Sequence, residues 1–337
     1  MSKKTIEDLS KLLDSFNEAT SYWLKNQSTT SSSTPNNNIR DPLDELTKII
    51  KLIKAQTTKL GIIFKPDNLQ KDPNTAYTTL QKFSETVVLL VSLVNHNLES
   101  VKISRLFHDE ITSSVKLLLS SIHEISNELI EIAKEKNEND DARLIGVGKI
   151  WTNCDSLIEL LDDGAGGLLT NKIKSNIGIL DDGFDEFKEW AENPEELDDD
   201  PFGFSDDEDD DDKEEDDYDK PPVDKEEVSE FALIWVKKIE LIRLLIASFK
   251  KSVPSNTDGK YIDEIYDVQF KLINLIDKFI MNLMLEARID HEIINNTNQI
   301  VLQATKLSKL GILIHSKTTT ETENKKVKWY ETWITKI

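Results

Sequence analysis

The 337-residue chain has one cysteine, Cys154, so no intramolecular disulfide can form. That fits a reducing compartment. Glycine (11) and proline (9) are sparse for this length. With few breakers and abundant Leu, Ile, Lys and Glu, the composition favours long helices. Strand patterning with hairpin turns is missing throughout. The longest apolar run, near Val87 to Leu93, falls far short of the ~18–20 residues a transmembrane helix needs. The opening MSKKTIEDLS places acids where a signal peptide needs its apolar stretch. A soluble intracellular protein is the expectation, with nucleus and cytosol both open. A net charge of −22 argues against nucleic acid and anionic membrane as partners.

Catalytic constellations are also missing. HEISN at His123 and HEIIN at His291 begin like zinc-protease helices, but Asn127 and Asn295 stand at the second ligand position, and amides are poor zinc ligands. GVGK, residues 146–149, lacks the spacing of a phosphate loop. It reads better as a flexible or closely packed point in a helix. Cys154 follows Trp151 by three on an apolar helix, as a buried structural thiol would. No enzyme activity, metal or cofactor is expected.

What is present is helical periodicity. Helices are expected near 5–24, 41–64 and 74–95, then one carrying Ile111 to Ile132 and closing near 137, then near 141–161 and 168–190, the last interrupted at Gly183, with DDGAGG (162–167) as a turn. Ile111, Val115, Leu118, Ile122, Ile125, Leu129 and Ile132 step by 4 and 3, a heptad seam. Such a seam suits a zipper with another chain or one helix of an antiparallel bundle. Extra apolar residues at Leu117 and Leu119 widen the stripe and favour the bundle. Val228, Ala232, Trp235, Ile239, Ile242, Ile246 and Phe249 repeat the pattern after Pro222. Further helices follow, one carrying Ile262 to Leu283, and others near 290–315 and 325–337. The last sets Lys325, Lys326 and Lys328 beside Trp329, Tyr330 and Trp333. That suits either a stacking surface or, as the charge favours, aromatics docked on the bundle.

Charge is unevenly spread. Residues 195–219 hold seventeen Asp/Glu against Lys213 alone, about −16 of the chain's −22. Such a block repels itself and stays solvated. Within it, Phe202 and Phe204 offer apolar anchors, and Asp206, Asp207 and Glu208 follow Ser205, making Ser205 a candidate site for an acidophilic kinase. The segment reads either as a solubilising spacer or as an interaction element for basic proteins, histones included.

GVGKIWTNCD, residues 146–155, resembles a motif of the cyclin-D-binding protein family (GCIP, a helix–loop–helix type lacking a basic region), matched by Gly148, Ile150, Trp151 and Cys154. TTKLGIIF (57–64), the Gly203-Phe204 acidic spacer and the helix at 260–279 are similar to other parts of that family. The resemblance implies a non-enzymatic protein of nucleus and cytoplasm. Such a protein binds a G1 cyclin or transcriptional regulators and restrains cell-cycle progression or transcription. The Ser/Thr/Asn stretch at 26–38 departs from the pattern.

The expected architecture is all-α: two antiparallel helix bundles, vinculin-like by fold-level analogy, joined by a disordered acidic spacer. Its parts are an N-terminal helix at 1–25, a disordered Ser/Thr/Asn linker at 26–40, an N-terminal bundle at 41–192, the spacer at 193–221 and a C-terminal bundle at 222–337. The expected function is a protein-interaction regulator of the cell cycle or transcription. The alternative is a chaperone-like acidic binder of basic proteins.

Overall fold

A computed structural model describes residues 3–26, 41–96, 103–134, 142–194, 225–317 and 320–337. Every regular element among them is helical, as expected: α1 (Ile6–Asn26), α2 (Pro42–Ile63), α3 (Pro66–Lys71), α4 (Pro73–His96), α5 (Arg105–Lys134), α6 (Ala142–Glu192), α7 (Lys225–Ser252), α8 (Gly259–Glu286), α9 (His291–His315) and α10 (Glu321–Ile334). The linker residues 27–40, and 195–224 with Phe202, Phe204, Ser205, Asp206, Asp207 and Glu208, lie outside the described residues.

The helix starts follow local chemistry. Asp41 accepts from the amides of Leu43 and Asp44, both at 3.1 Å, ahead of Pro42 at the first helical position. Such a cap is worth about 1 kcal/mol. Asp258 and Asp290 cap α8 and α9 in the same way. α8 ends on Ala287 in the left-handed region, φ 46°.

The chain divides into two compact units, Met1–Leu168 and Leu169–Ile337. In the first, α1 runs antiparallel to α5: Asp14 pairs with Lys134, Asn17 donates to Ser126, and Thr20 meets His123 Nδ1 at 2.9 Å. The α5 seam from Ile111 through Leu129 is buried in this same bundle. It packs in its own unit, as the wide stripe suggested, and Leu117 on its outer side is exposed. A core Leu or Ile contributes roughly 1.5–3 kcal/mol by leaving water, so a seam of six such residues decides which face turns inward.

The second unit comprises the later part of α6 with α7 to α10. α6 and α7 are antiparallel neighbours: Asp181 pairs with Arg243, and at the far end Ser229 Oγ donates to the Ala191 carbonyl at 2.8 Å. Thus the two ends of the 195–224 stretch leave and re-enter the bundle side by side. Phe279 packs against Phe187, Phe231 and Trp235 with ring centroids 5.0–6.3 Å apart.

The expected turn at 162–167 is smaller than its composition suggested. α6 runs on through it and through Gly183, with one non-helical residue, Gly164, at φ 65° and ψ −172°. That backbone conformation is essentially confined to glycine. α6 is therefore two helical arms that meet in a kink at Gly164, inside the expected turn. Its second arm packs with the C-terminal unit, so the structural division falls at 168/169 rather than along the charge run.

Candidate functional site

The family-type motif lies on the first arm of α6, where successive residues turn by about 100°. Ile150 and Cys154, four apart, point inward and are fully buried. Gly148 and Trp151, three apart, point outward, with Trp151 39% exposed. The four matched residues thus split into a packing half and a surface half.

The glycines confirm the split. A Cβ on Gly146 would meet Glu128 Oε2 at 2.7 Å and Ile125 Cγ1 at 3.2 Å, so Gly146 is the closely packed point of α6 against α5. A Cβ on Gly148 would touch nothing within 4 Å. Packing does not require a glycine there; its effect is to leave the surface beside Trp151 flat. Burial pushes the Cys154 thiol up to about 12, with nearby Asp155 adding to the rise and Lys54 opposing it. A thiol this reluctant to ionise is a structural group.

The surface half belongs to a wider strip. α6 is fastened along α2 at two levels: Arg143 Nε donates to the Gly61 carbonyl at 2.8 Å, and Lys54 Nζ pairs with Asp155 at 2.5 Å. Between them Gly61 lets the backbones close up, since a Cβ there would sit 3.0 Å from Val147 Cγ2. Leu144, Gly148 and Trp151 follow one line of α6 on the α2 side. Leu52, Ala55, Lys59 and Ile62 follow the outer line of α2. Leu144 is 50% exposed and Ile62 61% exposed, with Leu52 and Ile145 also exposed. Lys51 and Lys59 flank the strip, exposed and without an ion-pair partner among the described residues. A run of outward apolar side chains with a tryptophan and a cationic rim has the composition of a protein-binding surface.

Elsewhere the sequence readings resolve into structure. Of the terminal aromatics, Tyr330 and Trp333 are buried and Trp329 is exposed. Tyr330 Oη meets Ser248 Oγ at 2.9 Å and Ser252 Oγ at 3.0 Å, and Trp333 Nε1 donates to the Leu241 carbonyl at 2.9 Å. Docking thus accounts for two of the three. Sequence reasoning missed their neighbour, the fully buried His315, whose Nδ1 bonds Glu323 Oε2 and whose ring stacks on Tyr330. One signal was available: Thr320 and Glu323 stand in capping-box spacing, and Thr320 does cap α10.

Among the described residues, no cluster of three or more His, Cys, Asp or Glu side chains could hold a metal ion, and no helix is long and apolar enough to cross a membrane. An open groove lies where the end of α1 meets α5, lined by Leu24, Glu110, Ser113, Leu117 and Ser120.

The comparison with known proteins agrees with the family resemblance. A family described as "Grap2 and cyclin-D-interacting, N-terminal" matches residues 45–193, a span that contains the whole strip and bears out the family resemblance. The chain is 29% identical over 304 residues to the uncharacterized protein YLR287C of Saccharomyces cerevisiae, covering 87% of this chain and 84% of that one. It is 21% identical over 305 residues to the uncharacterized protein C22E12.18 of Schizosaccharomyces pombe, covering 89% and 85%.

Proposed function

With residues 45–193 as a Grap2 and cyclin-D-interacting N-terminal region, we propose that this protein is a non-catalytic binding protein of cell-cycle or transcriptional regulation, acting in nucleus and cytoplasm. It engages its partner through the α2–α6 strip. The partner is a D-type cyclin or a protein offering a similar apolar helical face. The observation that carries this reading is the outward Trp151 beside the open Gly148. Exposed tryptophan is the residue type most often found at the energetic centre of interfaces. A glycine with nothing to pack against is explained by a partner that needs to come close.

The test is a binding titration of a D-type cyclin against the full chain and Trp151→Ala. The reading expects the variant to bind at least about tenfold more weakly, the effect of losing an anchor worth roughly 1.4 kcal/mol or more, with an unchanged melting temperature. Equal binding by both proteins removes the strip from the function. If neither binds, the cyclin is the wrong partner.

A second reading rests on the seventeen acids of residues 195–219: a chaperone-like binder of histones or other basic proteins, tuned by phosphorylation at Ser205. It requires that histone capture vanish on deleting 195–219, fall steeply with salt and persist in Trp151→Ala.

A further inference from the structure

α1 is held by a narrow face. Of its 21 residues, Leu9, Leu13, Phe16 and Thr20 are buried, at steps of 4, 3 and 4. α2 buries seven of 22 and α5 eleven of 30. A stripe this narrow is the spacing of a helix laid in a groove, with anchors at i, i+4 and i+7. The groove lies between α4 and α5. On the α4 side, Phe16 meets Phe83 edge to face with ring centroids 5.8 Å apart. The Lys4 amide, just ahead of α1, donates to Asn74 Oδ1 at 3.1 Å. On the α5 side, Asn17 Nδ2 donates to Ser126 Oγ and Asn127 Oδ1, both at 2.7 Å, and Thr20 Oγ1 meets His123 Nδ1. These bonds set the register of α1, but on separation water replaces them at little net cost.

α1 can leave without disturbing the start of its neighbour. Fourteen residues, 27–40, separate it from the cap of α2, a reach of up to roughly 50 Å. That cap is Asp41, whose bonds are all to its own helix. The family-matched span contains α4 and α5, which form the groove, and begins after α1. The groove also outruns its occupant. Ser113, Leu117 and Ser120 line the opening beside Leu24. At steps of three and four they continue the line of His123 and Asn127 on which α1 lies. α1 ends at Asn26, and Leu117 is left exposed.

We propose that α1 is the resident ligand of a helix-binding groove and is displaced by an amphipathic helix of a partner protein. The partner helix carries α1's own anchors: two leucines and an aromatic at i, i+4 and i+7, with a small hydroxyl at i+11. It runs about two turns further and sets an apolar side chain on Leu117, a contact α1 is too short to make. The tether acts in the other direction. It holds α1 at an effective concentration on the order of millimolar, so a helix that matches the anchors alone is kept out. The groove shares no residue with the α2–α6 strip and stands independently of it.

The test is fluorescence anisotropy of a labelled synthetic peptide, residues 3–26, titrated with the full chain. The wild-type chain should bind it weakly, because its own α1 competes. Leu13→Glu/Phe16→Glu, which loosens that competitor, should bind at least about tenfold more tightly. A peptide lengthened by two helical turns, with a leucine facing Leu117, should bind better than the 3–26 peptide, and Leu117→Lys should erase the difference. Hydrogen exchange of the wild-type chain keeps the question open to refutation even if the double variant misfolds. Amides of residues 6–26 should exchange well before those of the α5 seam. Exchange of the two only together marks α1 as a fixed core helix and overturns the proposal. So does a double variant that is folded by far-ultraviolet circular dichroism and binds the peptide no better than the wild type. Peptide binding that is lost in Trp151→Ala places the peptide on the strip and overturns it as well. If sedimentation shows the wild-type chain dimerising through exchange of α1, the occupant is a second copy and the partner helix is ruled out.

Discussion

His315, the last residue of α9, and Glu323, in the first turn of α10, are joined through Nδ1 and Oε2, with the imidazole wholly buried. The bond closes the α9–α10 turn and presses the ring onto Tyr330. Nε2, on the other side, has no hydrogen-bond partner among the described residues. A neutral ring tolerates that; a charged one would bury an unsatisfied N–H.

Burial therefore holds His315 below its usual 6.5, with Lys326 adding to the depression and the Glu323 bond opposing it. Below pH 6.5 the unfolded chain binds a proton that the folded one resists. The contribution of His315 is complete above pH 6.5 and is lost as pH falls below it. Glu323 is also depressed, chiefly by Lys326 and then by His315, so its contribution disappears in a lower window, below pH 4.5. The melting temperature should be flat just above pH 6.5 and fall below it, and His315→Gln should flatten the first part of that fall. An identical slope in the variant assigns the acid sensitivity to other groups.

Gly311 packs against the face of Tyr330. A Cβ there would lie 2.7 Å from two ring atoms and 2.8 Å from a third. Alanine favours an α-helix over glycine by about 1 kcal/mol, so propensity alone expects Gly311→Ala to stabilise. A rigid ring cannot yield as a flexible side chain would, and overpacking costs about 1–3 kcal/mol. The clash should win: chemical denaturation should find Gly311→Ala less stable, with α10 released first and Trp333 fluorescence shifted to the red.

The two halves of the motif should separate by experiment. Ile150→Ala is expected to cost about 2–5 kcal/mol as a core truncation. Trp151→Ala should stay within about 1 kcal/mol of the parent, since it empties no interior space. Cys154, its thiol pushed up to about 12, should resist maleimide at neutral pH in the native protein and react fully in denaturant. Rapid native labelling would mean that α6 opens locally.

Gly164 offers a test of the bend. Its φ of 65° with ψ −172° has open space around it, so any cost of Gly164→Ala is backbone strain alone, about 1–3 kcal/mol. The variant should lose that much, or recover it by straightening α6. Hydrogen exchange at residues 160–168 should show slower exchange only in the second case.

Much of this molecule was written in its periodicity. The 4–3 steps of α5 and α7 correspond to faces that are buried, because a bundle needs the same repeat whatever its partner helix. Punctuation was harder to read. DDGAGG does break the helix, but the break is a kink at Gly164 alone, with helical residues close on either side. The direction in which Trp151 faces could not be read from its apolar character. It depends on where α2 lies, which Gly61 and Lys54 set by meeting Arg143 and Asp155 more than eighty residues further along the chain. The pairing of His315 with Glu323 was invisible for a similar reason: burial of a histidine is a tertiary fact.

One hydrogen bond, from Ser229 Oγ to the Ala191 carbonyl at 2.8 Å, has a consequence for how the sequence can change. It fixes the two ends of a thirty-residue insertion beside each other on helices that are already paired. Closing a loop between fixed ends depends only weakly on its length. Trimming it sixfold would alter the closure entropy by roughly 1.6 kcal/mol, in the stabilising direction. The bundle is therefore indifferent to what is threaded between those two residues. Its acid content, its phenylalanines and its serine are free to drift, lengthen or be exchanged under selection for what they bind, while the helices beneath stay as they are.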